Sequence, residues 1–298
     1  MELELWAELS AAISAVAAGW ARHPRDQHST ARVVRVYHWA CLHDRPVSWA
    51  CRAVNWTGRT RPDALPDQST MSRRTRRDDF ELFLEQVGKR LGGKAAPGLV
   101  RVVDGKPLEL PNHTTDRDAT WGRGVSRTSV GYKFHAVFSG GAMPDAFAVT
   151  TLAVSEKDMA ARMVGRLGGR SGGHGYLLAD AHFDASWLFD YCRHHGFQLV
   201  CPRAKPGTGT GHHYVSPHRL RAIRMLEPPA GVNTFGLDLY ARRTDIERQF
   251  SQLVCFGGGL TTLPPWVRRI WRVRNWVMAK LLINAARVRL NRKAALSA

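Results

Sequence analysis

The last 51 residues of the chain, 248–298, contain no aspartate or glutamate, yet ten arginines and lysines fall within them. A region so short of negative charge is unsuited to a basic partner surface and suited to a polyanion. Lysine is scarce too: only Lys89, Lys94, Lys106, Lys133, Lys157, Lys205, Lys280 and Lys293 stand among the 43 basic residues. The arginine fork that replaces it suits bidentate phosphate contacts. Five cysteines (Cys41, Cys51, Cys192, Cys201, Cys255) are an odd, dispersed set that excludes a fully paired disulfide framework and points to reduced thiols. No apolar run reaches the roughly 18 residues of a membrane helix. The first segment opens on Glu2 and Glu4, where a secretory leader would be basic, so the expected location is the cytoplasm, at the nucleoid. Repeats and low-complexity tracts are missing. The glycine-rich stretch 168–175 lacks the Gly-Lys-Ser/Thr that ATP binding would need.

What is present is an ordinary core composition, 44% hydrophobic, carrying a net charge of 43 − 25 = +18 over 298 residues. That combination belongs to a folded protein whose partner is most simply nucleic acid. Residues 1–95 read as helical. Leu5, Leu9, Ile13 and Val16 recur at helical spacing, and Ser29 or Thr30 caps a second helix through Val33, Val34, Val36, Tyr37 and Trp39. A short helix is expected around Trp49–Val54. Beyond it, a basic helix with a Pro66-Asp67 start and an amphipathic helix ending at Gly92-Gly93 follow. Two readings stand for this region: a helix-turn-helix that places Gln68, Ser69, Thr70, Ser72, Arg73 and Arg74 in a DNA groove, or a solvated basic helix in a bundle.

Residues 94–98 read as a linker, and the periodicity then changes. Strands are expected at 99–110, 132–139 and 145–152. A capped helix from Ser155, a short apolar strand ending at Asp180, a helix over 185–196 and the buried strand Phe197–Arg203 follow. This order is a mixed sheet with helices packed on it. Residues 204–236 show no clear period and read as an insertion or loop. A helix around Thr244–Val254 and a long basic amphipathic helix from Pro265 to about Leu290 complete the chain.

Two aspartates stand where strands rarely tolerate them. Asp104 interrupts Leu99-Val100-Arg101-Val102-Val103, and Asp180 ends Tyr176-Leu177-Leu178-Ala179. A carboxylate at a buried strand is costly unless a cation compensates it; a strand-end turn or cap is the competing account of each. Glu247 lies one position off the stripe Ile246, Phe250, Leu253, four residues after Arg243, so a surface i, i+4 pair is its plain explanation. Taken together, three carboxylates without Cys or His at ligand spacing favour Mg²⁺, with Mn²⁺ able to substitute, and two such ions suit in-line phosphoryl transfer. Cys192, His194, His195 and Cys201 fit no standard zinc spacing. Arg117, Arg123, Arg127 and Lys133, interleaved with Gly122 and Gly124, suggest a flexible phosphate-contacting loop or a solvated one, and His212, His213 and His218 read as loop histidines near DNA. Most of the ten tryptophans read as core, with base stacking the other reading for Trp187.

The motifs around these carboxylates resemble those of bacterial insertion-sequence transposases of the DDE type. Asp104 lies in VVDGKPL, GYKFHAVFS looks like the family's second strand, LLADAHFDA matches the second-Asp motif with Phe183 and Asp184 following, and YARRTDIERQF is similar to the Tyr-x₂-Arg-x₃-Glu signature of the YREK group. The similarity spans about 99–290. It departs at Val254, where the signature has a Lys. The resemblance implies an RNase H-like catalytic domain over 96–298, with a short insertion at about 204–236 and a basic C-terminal helix, behind a helical DNA-binding domain over 1–95. It implies Asp104, Asp180 and Glu247 as catalytic metal ligands. Tyr240 and Arg243, with Arg248 in place of the missing Lys, would hold end phosphates, and Arg73, Arg74, Arg123, Arg127 and Lys133 would contact DNA. The expected activity is strand cleavage at element ends and joining of the 3′-hydroxyl to target DNA, by at least two protomers acting on double-stranded DNA as a homodimer. The competing expectations are a catalytically silent DNA-binding regulator derived from a transposase, and an RNase H-like nuclease or resolvase.

Overall fold

The computed structural model describes residues 2–92, 98–111, 115–171, 174–207, 214–229, 231, 233–254, 259–260 and 262–297. Most of the expected linker, the centre of the glycine-rich stretch, His212, His213, Cys255 and the side chain of Ile246 lie outside the described residues. The helices in chain order are α1 (Glu2–Ala17), α2 (Thr30–Leu42), α3 (Val47–Ala50), α4 (Gln68–Arg74), α5 (Asp78–Gly92), α6 (Glu156–Ser171), α7 (Ser186–His194), α8 (Pro217–Leu226), α9 (Phe235–Gln252) and α10 (Ile270–Ser297). The strands are β1 (Val100–Glu109), β2 (Thr120–Arg123), β3 (Thr128–Phe138), β4 (Ala146–Thr151), β5 (Gly175–Leu178) and β6 (Phe197–Val200). Two compact units result: Met1–Ala95 with Pro111–Arg117 and Gln252–Ala298, and Ala96–Leu110 with Asp118–Ser251.

The helical unit is built on aromatic packing. Leu5, Leu9, Ala12 and Ile13 form the buried stripe of α1, and Ser29 caps α2 by accepting the Arg32 N–H at 3.3 Å. Trp6 meets Trp39 edge-on at 4.9 Å, and Trp39 stacks on Trp56 at 4.8 Å and 12°. The polar edges are satisfied: the Trp39 indole donates to the Asn55 carbonyl and the Trp56 indole to that of Ala50, at 2.8 and 2.7 Å. The C-terminal helix, expected as basic and amphipathic and as part of the sheet domain, groups instead with these helices. Residues 276–286 of α10 are buried on every side, a mainly apolar stretch with small alanines in which Lys280 and Asn284 are the polar residues. Lys280 sits in that interior, 1% exposed, and donates to the Cys41 carbonyl at 2.7 Å and to Asp44 at 2.6 Å.

In α4 the structure also departs from expectation. The Asp67 carboxylate caps the helix and takes the Thr70 N–H and the Ser69 and Thr70 hydroxyls. Arg74, expected to contact DNA, is 6% exposed and donates to the His28 carbonyl and Thr30 hydroxyl while pairing with Asp26 at 3.1 Å. Asp79 approaches it at 3.5 Å. A buried guanidinium shared between two half-buried carboxylates is committed to the fold, so Arg74 is corrected from a groove residue to an internal tie. Arg73 remains exposed.

The second unit is a six-stranded mixed sheet in the order β2-β3-β1-β5-β6, with β4 pairing the remaining stretch of the β3 edge. β1 runs antiparallel to β3 and parallel to β5, and β5 runs parallel to β6. One face carries Val103, Val137, Leu177, Leu199 and Cys201 and is covered by α6 and α7 through Ala160, Met163, Val164, Leu188, Phe189 and Cys192. Gly175 enters β5 at φ +135°, with the Leu99 carbonyl where a Cβ would stand, so only glycine fits there. Two elements were not legible as such. β2 makes a hairpin with β3 where a flexible loop was expected, and α8 lies inside the stretch read as a loop. The α8 start is a Ser216 cap followed by Pro217, which is a readable signal.

Replacing Arg74 by Ala should therefore destabilise the protein toward the lower end of the about 3–5 kcal/mol typical of breaking a buried pair, since Arg77 still serves both Asp26 and Asp79. Arg73→Ala should stay within about 0.5 kcal/mol. Urea unfolding of both variants checks the contrast.

Candidate active site

The register of β1 decides where its carboxylate points. Asp104 pairs with Ala136 of β3, flanked on the same face by the pairs Val102–Phe138 and Lys106–Phe134. Phe250 of α9 packs on that face, 4.9 Å from the Phe138 ring and 6.2 Å from Phe134. Asp104 thus projects from the side that α9 covers, opposite the α6–α7 core. On β5, Val102 pairs with Leu178, an offset of 76 residues; two residues further along both chains, the same offset relates Asp104 to Asp180. Asp104 thus lies within β1 and Asp180 two residues past the end of the parallel strand β5, and the charge of Asp180 is felt at Asp104.

Both are partly satisfied by backbone. Asp104 accepts the Gly105 N–H at 2.7 Å, and Asp180 accepts the His182 N–H at 2.9 Å as cap of the short 3₁₀ turn Ala181–Phe183. Each uses only its Oδ1 in this way. Burial pushes the Asp104 carboxyl up to about 6; the Gly105 N–H and Arg243 oppose the rise, and the charges of Asp180 and Glu156 add to it. Asp104 therefore resists ionisation because it is buried beside other carboxylates, and Arg243 only partly offsets this.

α9 delivers the remaining residues. The Tyr240 hydroxyl donates to the Ala179 carbonyl at 3.1 Å, which locks α9 to the end of β5 one residue before Asp180. Burial raises the Tyr240 phenol, with Arg243 acting against it. The Arg243 guanidinium lies 6.0 Å from the Tyr240 ring centroid and binds Glu247 at 2.6 Å through the i, i+4 spacing. The Arg243 Nε is buried without a hydrogen-bond partner among the described residues. Glu247 is thus held by Arg243, the plain pair its spacing allowed, and among the described residues no three Asp, Glu, His or Cys side chains converge to cage a metal ion. The donor chemistry still fits a hard divalent cation: Asp104 and Asp180 are oxygen donors with mutually unfavourable charge, and Glu247 is a third on the adjoining helix.

The other expected DNA contacts disperse. Arg123 is exposed on β2, Arg127 is exposed in the turn before β3, and Arg248 is exposed on α9. Lys133 is corrected: it is 6% exposed and forms a 2.7 Å ion pair with Glu156, because its register opposite Pro107 turns it to the α6 side of the sheet. Its neighbour His135 is pushed down to about 4 by burial and bonds the Thr150 hydroxyl through Nε2 at 2.9 Å.

Sequence reasoning missed three structural supports. Asp184, quoted only as part of a motif, binds Arg219 of α8 at 2.5 and 2.8 Å and accepts the Ala204 N–H. Asp190 accepts the hydroxyls of Ser216 and Tyr214. Glu156, read only as part of an amphipathic helix, contributes to the field at Asp104 from beyond Gly105. Partners so distant in sequence carry no local signal.

The transposase DDE domain family matches residues 95–263, a span that contains Asp104, Asp180, Tyr240, Arg243 and Glu247. No curated protein matches the chain. Among solved structures, the cryo-EM structure of the piggyBac transposase synaptic complex with hairpin DNA aligns over 95% of this chain and 71% of that one, at 11% identity and a TM-score of 0.46. Since the matched segment is more than half of the sequence and contains Asp104, Asp180 and Glu247, the chain belongs to the transposase DDE domain family.

Proposed function

We propose that this transposase cleaves DNA at the ends of an insertion sequence and joins the freed 3′-hydroxyl to target DNA, with Asp104, Asp180 and Glu247 as ligands for Mg²⁺ or Mn²⁺. The observation that carries the reading is the placement of Asp104 on β1 and of Asp180 just past the end of the neighbouring parallel strand β5, near enough for the charge of Asp180 to act on Asp104, with α9, which bears Glu247, fastened to Ala179. When bound, divalent ions polarise the attacking oxygen and offset charge on the leaving oxygen of an in-line displacement. The protein's own share is positional. Asp104 and Asp180 keep one oxygen each on backbone N–H groups, which fixes the carboxylate planes and leaves the other oxygen to turn to a cation. Tyr240 holds α9 against Ala179, so Arg243 has a defined origin from which to meet a phosphate. Transfer of the Arg243 guanidinium from Glu247 to a DNA phosphate would free Glu247 as the third ligand. Arg248, Arg123, Arg127 and Arg73 are the exposed cations assigned to DNA backbone. The helical unit is assigned to end binding and a homodimer to pairing of the ends. Acting at the nucleoid, the chain would be one member of the YREK group, with Val254 in place of the signature Lys, and its sheet domain would be RNase H-like.

One observation favours a second reading. The closed Arg243–Glu247 pair suits a catalytically silent DNA-binding regulator, which needs no third ligand. The two readings, and a junction-cutting nuclease, separate in a single assay of end-containing linear DNA, branched DNA and Mg²⁺.

Asp104→Asn, Asp180→Asn or Glu247→Gln should each lower strand cleavage by at least about a thousandfold while end binding in a gel shift stays within about threefold. Cleavage surviving all three substitutions would overturn the site. The raised carboxyl of Asp104 adds a second expectation. Its folded value of about 6 lies above the ordinary 3.8, so the metal-free fold binds this proton more tightly than the unfolded chain and loses stability as pH rises between those values. Asp104→Asn should therefore stabilise metal-free protein above pH 6, by up to roughly 3 kcal/mol, and change little near pH 4. Mg²⁺ should raise the melting temperature of the native chain at pH 7.5 and not that of the variant. Thermal scans at both pH values, with and without Mg²⁺, check the pair of outcomes.

A further inference from the structure

The helical unit contains a cavity of about 340 Å³ between α3, α4 and the segment that leads into α10. Ser48, Gln68, Ser72, Trp266, Trp271 and Arg272 are among the residues that line it, and none of the lining residues is acidic. Two of the six positions expected to enter a DNA groove, Gln68 and Ser72, therefore form a cavity wall. Their i, i+4 spacing places them on one side of α4. Apart from the helix ladder, Ser48, Gln68 and Ser72 make no side-chain hydrogen bond to any described residue, so their polar groups remain available. The Trp266 indole N–H is buried with no hydrogen-bond partner among the described residues. A buried donor in that condition costs free energy that a ligand acceptor would recover.

The charge around the cavity is of one sign. Arg76 lies 5.1 Å and Arg272 5.0 Å from the centroid of the Trp271 ring, so one indole attracts two guanidinium groups. Such an assembly offers an aromatic surface, hydrogen-bonding edges and cations together. A metal is excluded because no carboxylate lines the space, and a purely apolar ligand would strand the serines, the glutamine and the Trp266 N–H. A base pair or duplex is too large for a recess of this volume, whereas one base with its phosphate suits it.

We propose that this cavity binds a single unpaired nucleotide of a DNA strand, with the base against the tryptophans and edges of α4 and the phosphate on Arg272 and Arg76. The proposal rests on DNA being the partner of the protein, and it gives the helical unit a means of recognising distorted or unpaired DNA separate from the carboxylate site. Aromatic stacking of this kind tolerates any base identity, so recognition here is of the unpaired state rather than of sequence.

The test uses the full chain and two otherwise identical duplexes. One carries a 2-aminopurine mismatched with cytosine, and the other carries it paired with thymine. The native chain should bind the mismatched duplex about tenfold more tightly and quench its 2-aminopurine fluorescence. Trp271→Ala should bring the affinity ratio to within twofold of unity and abolish the quenching, with affinity for the paired duplex held within twofold. Trp271→Phe should retain part of the preference. If Trp271→Ala fails to fold by thermal scan, Gln68→Ala and Ser72→Ala at the wall of α4 carry the same readout, each with at least a threefold loss of preference. A native ratio near unity, or a preference that survives these substitutions, would overturn the proposal. So would dAMP alone, if it quenched tryptophan fluorescence in a Trp271-dependent manner at the affinity of the mismatched duplex, since that would assign the cavity to free nucleotides. Asp104→Asn should keep the tenfold preference while losing cleavage. A chain that cuts DNA but shows no preference loses only this proposal, and one that binds no DNA at all loses the functional reading beneath it.

Discussion

The parallel pairing of β1 with β5 is the constraint from which the rest of the sheet unit follows. It is made possible by Gly175, whose backbone conformation lets the chain enter β5 against the Leu99 carbonyl, and by α6, which supplies the crossover that a parallel connection requires. Once Val102 stands beside Leu178, Asp104 follows two residues on along β1 and Asp180 two residues past the end of β5, close enough for their charges to interact. Two like charges are thereby held together at a partly buried position, an arrangement that costs free energy in the absence of a cation. The opposite face meets that cost: Val103, Val137, Leu177 and Leu199 pack there against α6 and α7. The site is strained electrostatically because the other side of the same strands is well packed.

α9 completes the arrangement with few contacts of high consequence. Phe250 seats the helix on the aromatic rings of β3, and Tyr240 fastens it to the Ala179 carbonyl. Between these anchors, Arg243 faces a choice of partners. Glu247 holds it in the structure, while the field of Arg243 already reaches Asp104 and opposes the rise that burial imposes on its carboxyl. An arginine poised between a carboxylate and a neighbouring carboxylate pair is suited to exchange one anion for another when a phosphate arrives.

The basic surplus needs dividing between surface and interior. Arg74, Lys133 and Lys280 are among its members, yet each is buried and paired, with Asp26 and Asp79, with Glu156, and with Asp44 respectively. Those cations tie helices and strands together and are unavailable to a polyanion. The exposed arginines carry the nucleic-acid argument, and two guanidinium groups, of Arg76 and Arg272, stand over Trp271. Composition counts charges equally; burial decides which of them a partner can reach.

By itself the sequence determined the existence and type of most elements, since apolar period 2 and period 3.6 are local signals, and it singled out Asp104, Asp180, Tyr240, Arg243 and Glu247 as the residues to watch. It also allowed the Glu247–Arg243 pair as the alternative to a metal-ligand role for Glu247, because an i, i+4 spacing on a helix needs no tertiary information. Short β2 was hidden by its glycine, and α8 by the proline, glycine and histidine around it, although the Ser216-Pro217 cap was legible. Only the tertiary structure decided that the middle of α10 is buried, that Lys133 faces α6, that Arg74 is an internal tie and that Gln68 and Ser72 wall a cavity. Those outcomes depend on which distant residue arrives opposite a side chain: Asp26 lies 48 positions from Arg74, and Asp44 lies 236 from Lys280. Local pattern specifies that a residue is polar or apolar; the partner that spends or spares its charge is chosen by packing between segments that the pattern does not relate.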